Sequence, residues 1–276
     1  MAIVPAFKDG VSVLRSNPVI LLAGLLFAFV SQVAAAGEIV DSLAVAGVGA
    51  LVAFLLGPFF VGGLIGMALE ALEGSTTSLD QLVQSGTTFY VTLLAATILF
   101  AVVTFGIVFV SMIVVVFGAG AVIAAVGSET GAVAGIGVVL LAFLAIMLFM
   151  FLVYLFLQFF NTAIVVDGTG AIEAFSHSLG LVRANLLNVV GYSLLWFVVW
   201  SVAFMPLVGL ELVLVEPGLV DVDQTIGQAL SLLAAAVVTG IGYAYLFAVH
   251  TSYYTRLEAT DGESGDSSAA TPATAA

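Results

Sequence analysis

Long apolar runs alternate along this chain with short segments in which apolar residues recur at helical spacing. The runs cover residues 18–36, 43–69, 87–117, 132–166, 186–207 and 226–254. A bilayer core needs about 20 apolar residues per helix, so each run predicts a membrane span. Three short segments, 5–16, 78–85 and 171–184, precede the first, third and fifth runs. In the first, Phe7, Val11 and Leu14 share a helical face, with Lys8, Ser12 and Arg15 near the other. In the last, Ile172, Phe175, Leu179 and Val182 form the apolar stripe, opposite Glu173, Ser176, His177 and Arg183. Such helices are too short to span and suit the membrane surface.

The predicted fold class is therefore all-α: a polytopic integral membrane bundle of six transmembrane helices, built as three units of short interfacial helix plus transmembrane hairpin. Phe7, Val11, Leu14, Arg15 and Asn17 recur as Phe175, Leu179, Val182, Arg183 and Asn185, at one constant offset of 168 residues. The middle copy is weaker. Leu79 and Val83 fit the stripe, but Thr87 and Phe89 stand where the other copies have Arg and Asn. Such internal repetition builds a bundle around a pseudo-symmetry axis. It also argues against reading Lys8, Arg15, the first run and Ala34-Ala35-Ala36-Gly37 as a signal peptide, since a cleaved address has no reason to recur. Gly57-Pro58 predicts a kink in the second span, and Gly62 and Gly66 predict close helix packing. Residues 258–276 are small, acidic and Pro-interrupted, which predicts a disordered tail and leaves 1–257 as the membrane domain.

Composition strengthens the membrane reading. Of 276 residues, 63% are hydrophobic and 8% charged. There is no cysteine, which excludes disulfides and thiolate chemistry. The formal net charge of −13, with Lys8 the one lysine, leaves little to neutralise phosphates, so no nucleic-acid partner is expected. An acidic, lysine-poor chain of this kind is typical of salt-loving organisms. If the three surface helices lie on one side, all four bases (Lys8, Arg15, Arg183 and Arg256) fall there with both termini. Glu38, Asp41, Glu129, Glu211, Glu216, Asp221 and Asp223 fall opposite. The positive-inside rule then predicts a multi-pass protein of the cell membrane with cytoplasmic termini.

Candidate chemistry is sparse. Arg15 and Arg183 suit snorkelling to one interface, beside Asn17 and Asn185. Glu173 and His177 stand at i, i+4 and could share a metal, with Asp167 and His250 on the same side of the membrane. No H-E-x-x-H or G-x-S-x-G accompanies them. The expectation is that Glu173 and His177 pair with each other or with Arg183, that His177 faces water, and that no metal, cofactor or catalysis is involved. Gln158 and Asn161, one turn apart, could line an intramembrane polar pocket or bond between helices. No charged residue occupies the middle of a span, which counts against ion-coupled transport.

The passage from Phe160 through Asp167, Glu173, Ala174, Ser178 and Arg183 to Asn185, F-x-x-x-x-V-V-D-G-x-G-A-x-E-A-F-x-x-S-x-x-L-V-R-x-N, resembles poorly characterised membrane families. These are grouped around the membrane domain attached to some glycerophosphodiester phosphodiesterases. With this composition, the resemblance implies a haloarchaeal-type member sharing that membrane fold, without the phosphodiesterase domain or its catalytic residues. The function expected is non-catalytic: organising membrane lipids, membrane-protein partners or further copies of the chain at the cytoplasmic face. A permease or channel for a small uncharged solute is the alternative, and a continuous polar path through the bundle would favour it.

Overall fold

The structure is a computed structural model that describes residues 2–35, 37, 40–126, 128–214 and 223–269. Its regular structure among the described residues is helical, with no strand. The helices are α1 (Ile3–Ser16), α2 (Val19–Gln32), α3 (Leu43–Leu72), α4 (Leu79–Thr88), α5 (Tyr90–Val126), α6 (Ser128–Leu157), α7 (Phe160–Val166), α8 (Ala171–Ala184), α9 (Leu186–Leu214) and α10 (Gln224–Ala269). Five stretches are long and apolar enough to cross a bilayer. The pair α1–α2, bent by 99°, brings the number to as many as six. The bend falls at Asn17, whose backbone (φ −130°, ψ 69°) leaves the helical region that the following Pro18 disfavours. α3 begins at Ser42, whose hydroxyl accepts from the Val45 N–H at 3.3 Å, and runs unbroken through Pro58.

The three predicted units recur as a cycle of contacts. Each surface helix packs on the second span of the unit before it: α4 on α3, α8 on α6 and α7, and α1 on α10. Each first span also touches its own partner and that same preceding span: α2 touches α3 and α10, α5 touches α6 and α3, and α9 touches α10 and α6. The middle copy thus takes the same place as the others despite its weak sequence match.

The surface helices meet the bundle chiefly through small residues beside the expected stripe. α1 buries Ala6, Gly10 and Val13, and α8 buries Ala174, Ser178 and Leu181, positions again 168 residues apart. In α4, Leu82 and Ser85 take the places of Gly10 and Val13. The expected apolar stripe is divided: Val11 is 40% exposed and Ile172 75%, while Phe7, Leu14, Phe175 and Leu179 are partly buried and Val182 is fully buried. The reason is the solvent. Against lipid a large apolar side chain loses nothing by facing outward, whereas close approach between helices needs small residues.

α10 is the hub, in contact with α1, α2, α3, α7, α8 and α9. Its Val249, Tyr253, Tyr254 and Leu257 enter one buried cluster with Phe159, Ile164 and Tyr192, while Ala244 and Ala248 enter another with Phe27, Leu64 and Met67. The most apolar stretches of α5, α6 and α9 bury none of their residues within this chain. Two further differences bear on the site. The fourth predicted span breaks at Gln158–Phe159, between α6 and α7. Where a tail was expected from 258, α10 stays helical to Ala269, with Leu257 2% exposed; residues 270–276 lie outside the described residues. Of the expected acidic loops, Glu38, Glu216 and Asp221 also lie outside them.

Candidate functional site

The end of the bundle that carries the surface helices holds nearly all of its polar chemistry. α7 stops at Asp167, and the chain reverses through Gly168, whose φ of +67° is one that glycine adopts freely. α8 then returns across the end of α10, which sets His177 beside Asp167 and Glu258. His177 Nε2 lies 2.6 Å from Glu258 Oε1 and 3.8 Å from Asp167 Oδ2. Tyr254, one helical turn before Glu258, donates its hydroxyl to the same Asp167 oxygen. One donor atom from each of Asp167, His177 and Glu258 lies within 4.8 Å of the others, and all three side chains are about one-third exposed.

Only half of the predicted constellation is brought together. Asp167 and His177 meet, but Glu173 is exposed on the first turn of α8 and takes no part in their contacts. His250 serves a different network, in the break of the fourth span. Its Nε2 lies 3.0 Å from the Gln158 carbonyl, which can only accept, so Nε2 carries the proton; Nδ1 then accepts from the Tyr192 hydroxyl at 2.9 Å. Ser178 bridges the same break, accepting from the Phe159 N–H at 3.2 Å and donating to the Phe156 carbonyl at 2.8 Å. A membrane helix can break only where side chains re-satisfy the freed backbone, and α8 and α10 supply them here. The Gln158 side chain bonds across to Ser193 on α9 at 3.1 Å, the helix-to-helix alternative, and Asn161 makes none of these bonds.

The R-x-N elements separate into two roles. Asn17 is buried and accepts from the Thr77 N–H at 3.0 Å, fastening the α1–α2 corner to the segment before α4. Asn185 closes α8, donating from its backbone to Leu181 O and from Nδ2 to the same carbonyl. Arg15 and Arg183 are exposed. Arg15 and Lys8 line a groove of about 730 Å³ between α1 and α9, with apolar walls from Val4, Phe7, Val11 and Leu195. Neither base makes an ion pair among the described residues, whereas Arg256 reaches Asp9 at 2.7 Å.

Sequence reasoning missed Glu258, Tyr254 as a partner, and Asp9. The 168-residue offset carried one usable signal: it places Asp9 of α1 opposite His177 of α8, and each ties its surface helix to α10. A family model described as a domain of unknown function (DUF7847) matches residues 1–257. No curated protein and no solved structure matches the chain.

Proposed function

The chain belongs to that family of unknown function, and we propose that it is a non-catalytic membrane protein whose surface helices hold anionic lipid at the cytoplasmic face. The observation that carries this reading is the groove beside α1. In a chain of net charge −13, two of the four bases face one apolar-walled groove at the end of the bundle, and among the described residues no carboxylate pairs with either. Seven residues of helix separate Lys8 from Arg15, about 10 Å, so one phosphate-bearing headgroup can meet both while its chains lie on Val4, Val11 and Leu195. If the acid-rich composition does reflect a salt-rich cytoplasm, the long-range field is screened away and direct phosphate contact is what remains. The kinship suggested by the Phe160–Asn185 passage, with membrane domains that accompany a lipid-headgroup phosphodiesterase, points the same way.

A solute path has less support. The described interior between α2, α3 and α10 is filled by Phe27, Leu64, Met67 and Ala248, and its buried hydroxyls form no chain across it. The lipid reading is tested by delipidating the full-length protein in detergent and titrating phosphatidylglycerol against phosphatidylcholine, with bound lipid counted by native mass spectrometry. Phosphatidylglycerol should bind more tightly, and K8Q/R15Q should weaken it about tenfold while phosphatidylcholine is unaffected. Equal retention of both lipids, or an unchanged double variant, would reject the proposal.

Sidedness has its own check. A cysteine at Ser176, on α8, should be shielded from an impermeant reagent in intact cells, and one at Asp221 should be labelled. The reverse pattern would place the basic end outside.

A further inference from the structure

We propose that Asp167, His177 and Glu258 bind one divalent transition-metal ion, which pins the α7–α8 corner to the end of α10. Two donors on one helix, Glu173 and His177, gave little reason to expect a metal. The structure replaces Glu173 with two carboxylates from other elements, so that three donors arrive from the end of α7, from α8 and from α10.

Hydrogen bonding gives each group a partner but does not account for two carboxylates meeting at one imidazole. His177 Nε2 has a single site to offer, a proton or a lone pair, and Glu258 Oε1 at 2.6 Å takes it. Asp167 Oδ2 is aimed at the same nitrogen from 3.8 Å, too far for a bond, and gets its proton donor from Tyr254 instead. Two carboxylates thus converge on one imidazole that can serve one of them, with their oxygens close enough to repel. A divalent cation among the three atoms removes that conflict. Zinc holds imidazole nitrogen and carboxylate oxygen at about 2.0–2.2 Å, and donor atoms already within 4.8 Å of one another reach it by small side-chain rotations. One nitrogen with two oxygens suits zinc, manganese or ferrous ion over magnesium or calcium. The one-third exposure of each side chain leaves an approach path and room for a water ligand. Tyr254 would be a positioning residue, fixing the Asp167 carboxylate through the oxygen that faces His177.

The ion would work apart from the lipid groove, whose bases lie on α1. The test uses the full-length protein in detergent, stripped with a chelator and dialysed against zinc. About one zinc per chain is expected by plasma mass spectrometry, together with a rise in the unfolding temperature that chelator reverses. H177Q and E258Q should each weaken zinc binding at least tenfold, and Y254F should weaken it about tenfold. E173Q and H250Q should bind as wild type, since neither side chain reaches the cluster. Because a variant can fail to fold, cobalt(II) bound to the unaltered chain gives a second readout: intense visible absorption of a low-coordinate nitrogen–oxygen site, abolished by competing zinc. Sub-stoichiometric zinc in the wild type, absence of the cobalt spectrum, or undiminished zinc in a helical, monodisperse H177Q would each overturn the assignment.

Discussion

Replacing Gly63 with alanine should destabilise the protein by about 1–3 kcal/mol, while Gly47→Ala on the same helix should be close to neutral. The two sites differ in what a methyl group would meet. At Gly63 an added Cβ would lie 2.7 Å from the Leu82 carbonyl oxygen, and backbone cannot swing aside as a side-chain tip can. At Gly47 nothing lies within 4 Å. The α3–α4 contact is tight from both directions, since a Cβ at Gly86 of α4 would come 2.7 Å from the Phe59 carbonyl of α3. The predicted close-packing pair Gly62 and Gly66 lies on either side of Gly63, and a Cβ at Gly66 would clash with the Ser85 Cβ of α4. Thermal unfolding in detergent, read by circular dichroism, measures the difference. Equal behaviour of G63A and G47A would mean that α4 does not seat on α3, and the cyclic arrangement would lose its middle member.

How far the sequence reveals this molecule depends on which physical effect sets each feature. The membrane spans are legible because hydrocarbon imposes one demand, length with apolarity, and composition reports it directly. The corners at Asn17 and Asp167 are legible from Pro18 and Gly168. The buried faces of α1 and α8 are not, because the rule that large apolar residues point inward belongs to water. Here Ala6, Gly10, Ala174 and Ser178 pack inward while Val11 and Ile172 turn outward. Reading the 168-residue repeat for its small residues instead of its large ones would have found the face. Glu258 escaped for a different reason. Composition marks the region after Arg256 as polar and small, but Tyr253 and Leu257 stand one turn apart and both are buried, so packing carries α10 on past the apolar run. Glu173 and His177 show the converse: spacing on one helix licenses a pair, and only the neighbouring elements decide whether the pair is used.

The second large effect is expected at the break in the fourth span. His250→Leu should lower stability by about 1–3 kcal/mol, and adding Tyr192→Phe should recover most of that loss. His250 stacks on Phe159 with ring centres 4.9 Å apart, while its two nitrogens serve the Gln158 carbonyl and the Tyr192 hydroxyl. Leucine restores part of the stacking surface but leaves both polar groups without their partner. The Tyr192 hydroxyl suffers more, because its side chain is 1% exposed and packs face to face with Tyr253 at 4.0 Å. A buried group left unsatisfied carries its whole desolvation cost, whereas removing both partners together removes the cost with them. Tyr192→Phe deletes only the oxygen and keeps the ring against Tyr253. The double variant should therefore be more stable than H250L alone, a non-additivity that a double-mutant cycle in detergent reads directly. Strictly additive losses would mean that the Tyr192–His250 bond contributes nothing and that ring packing alone holds the break together.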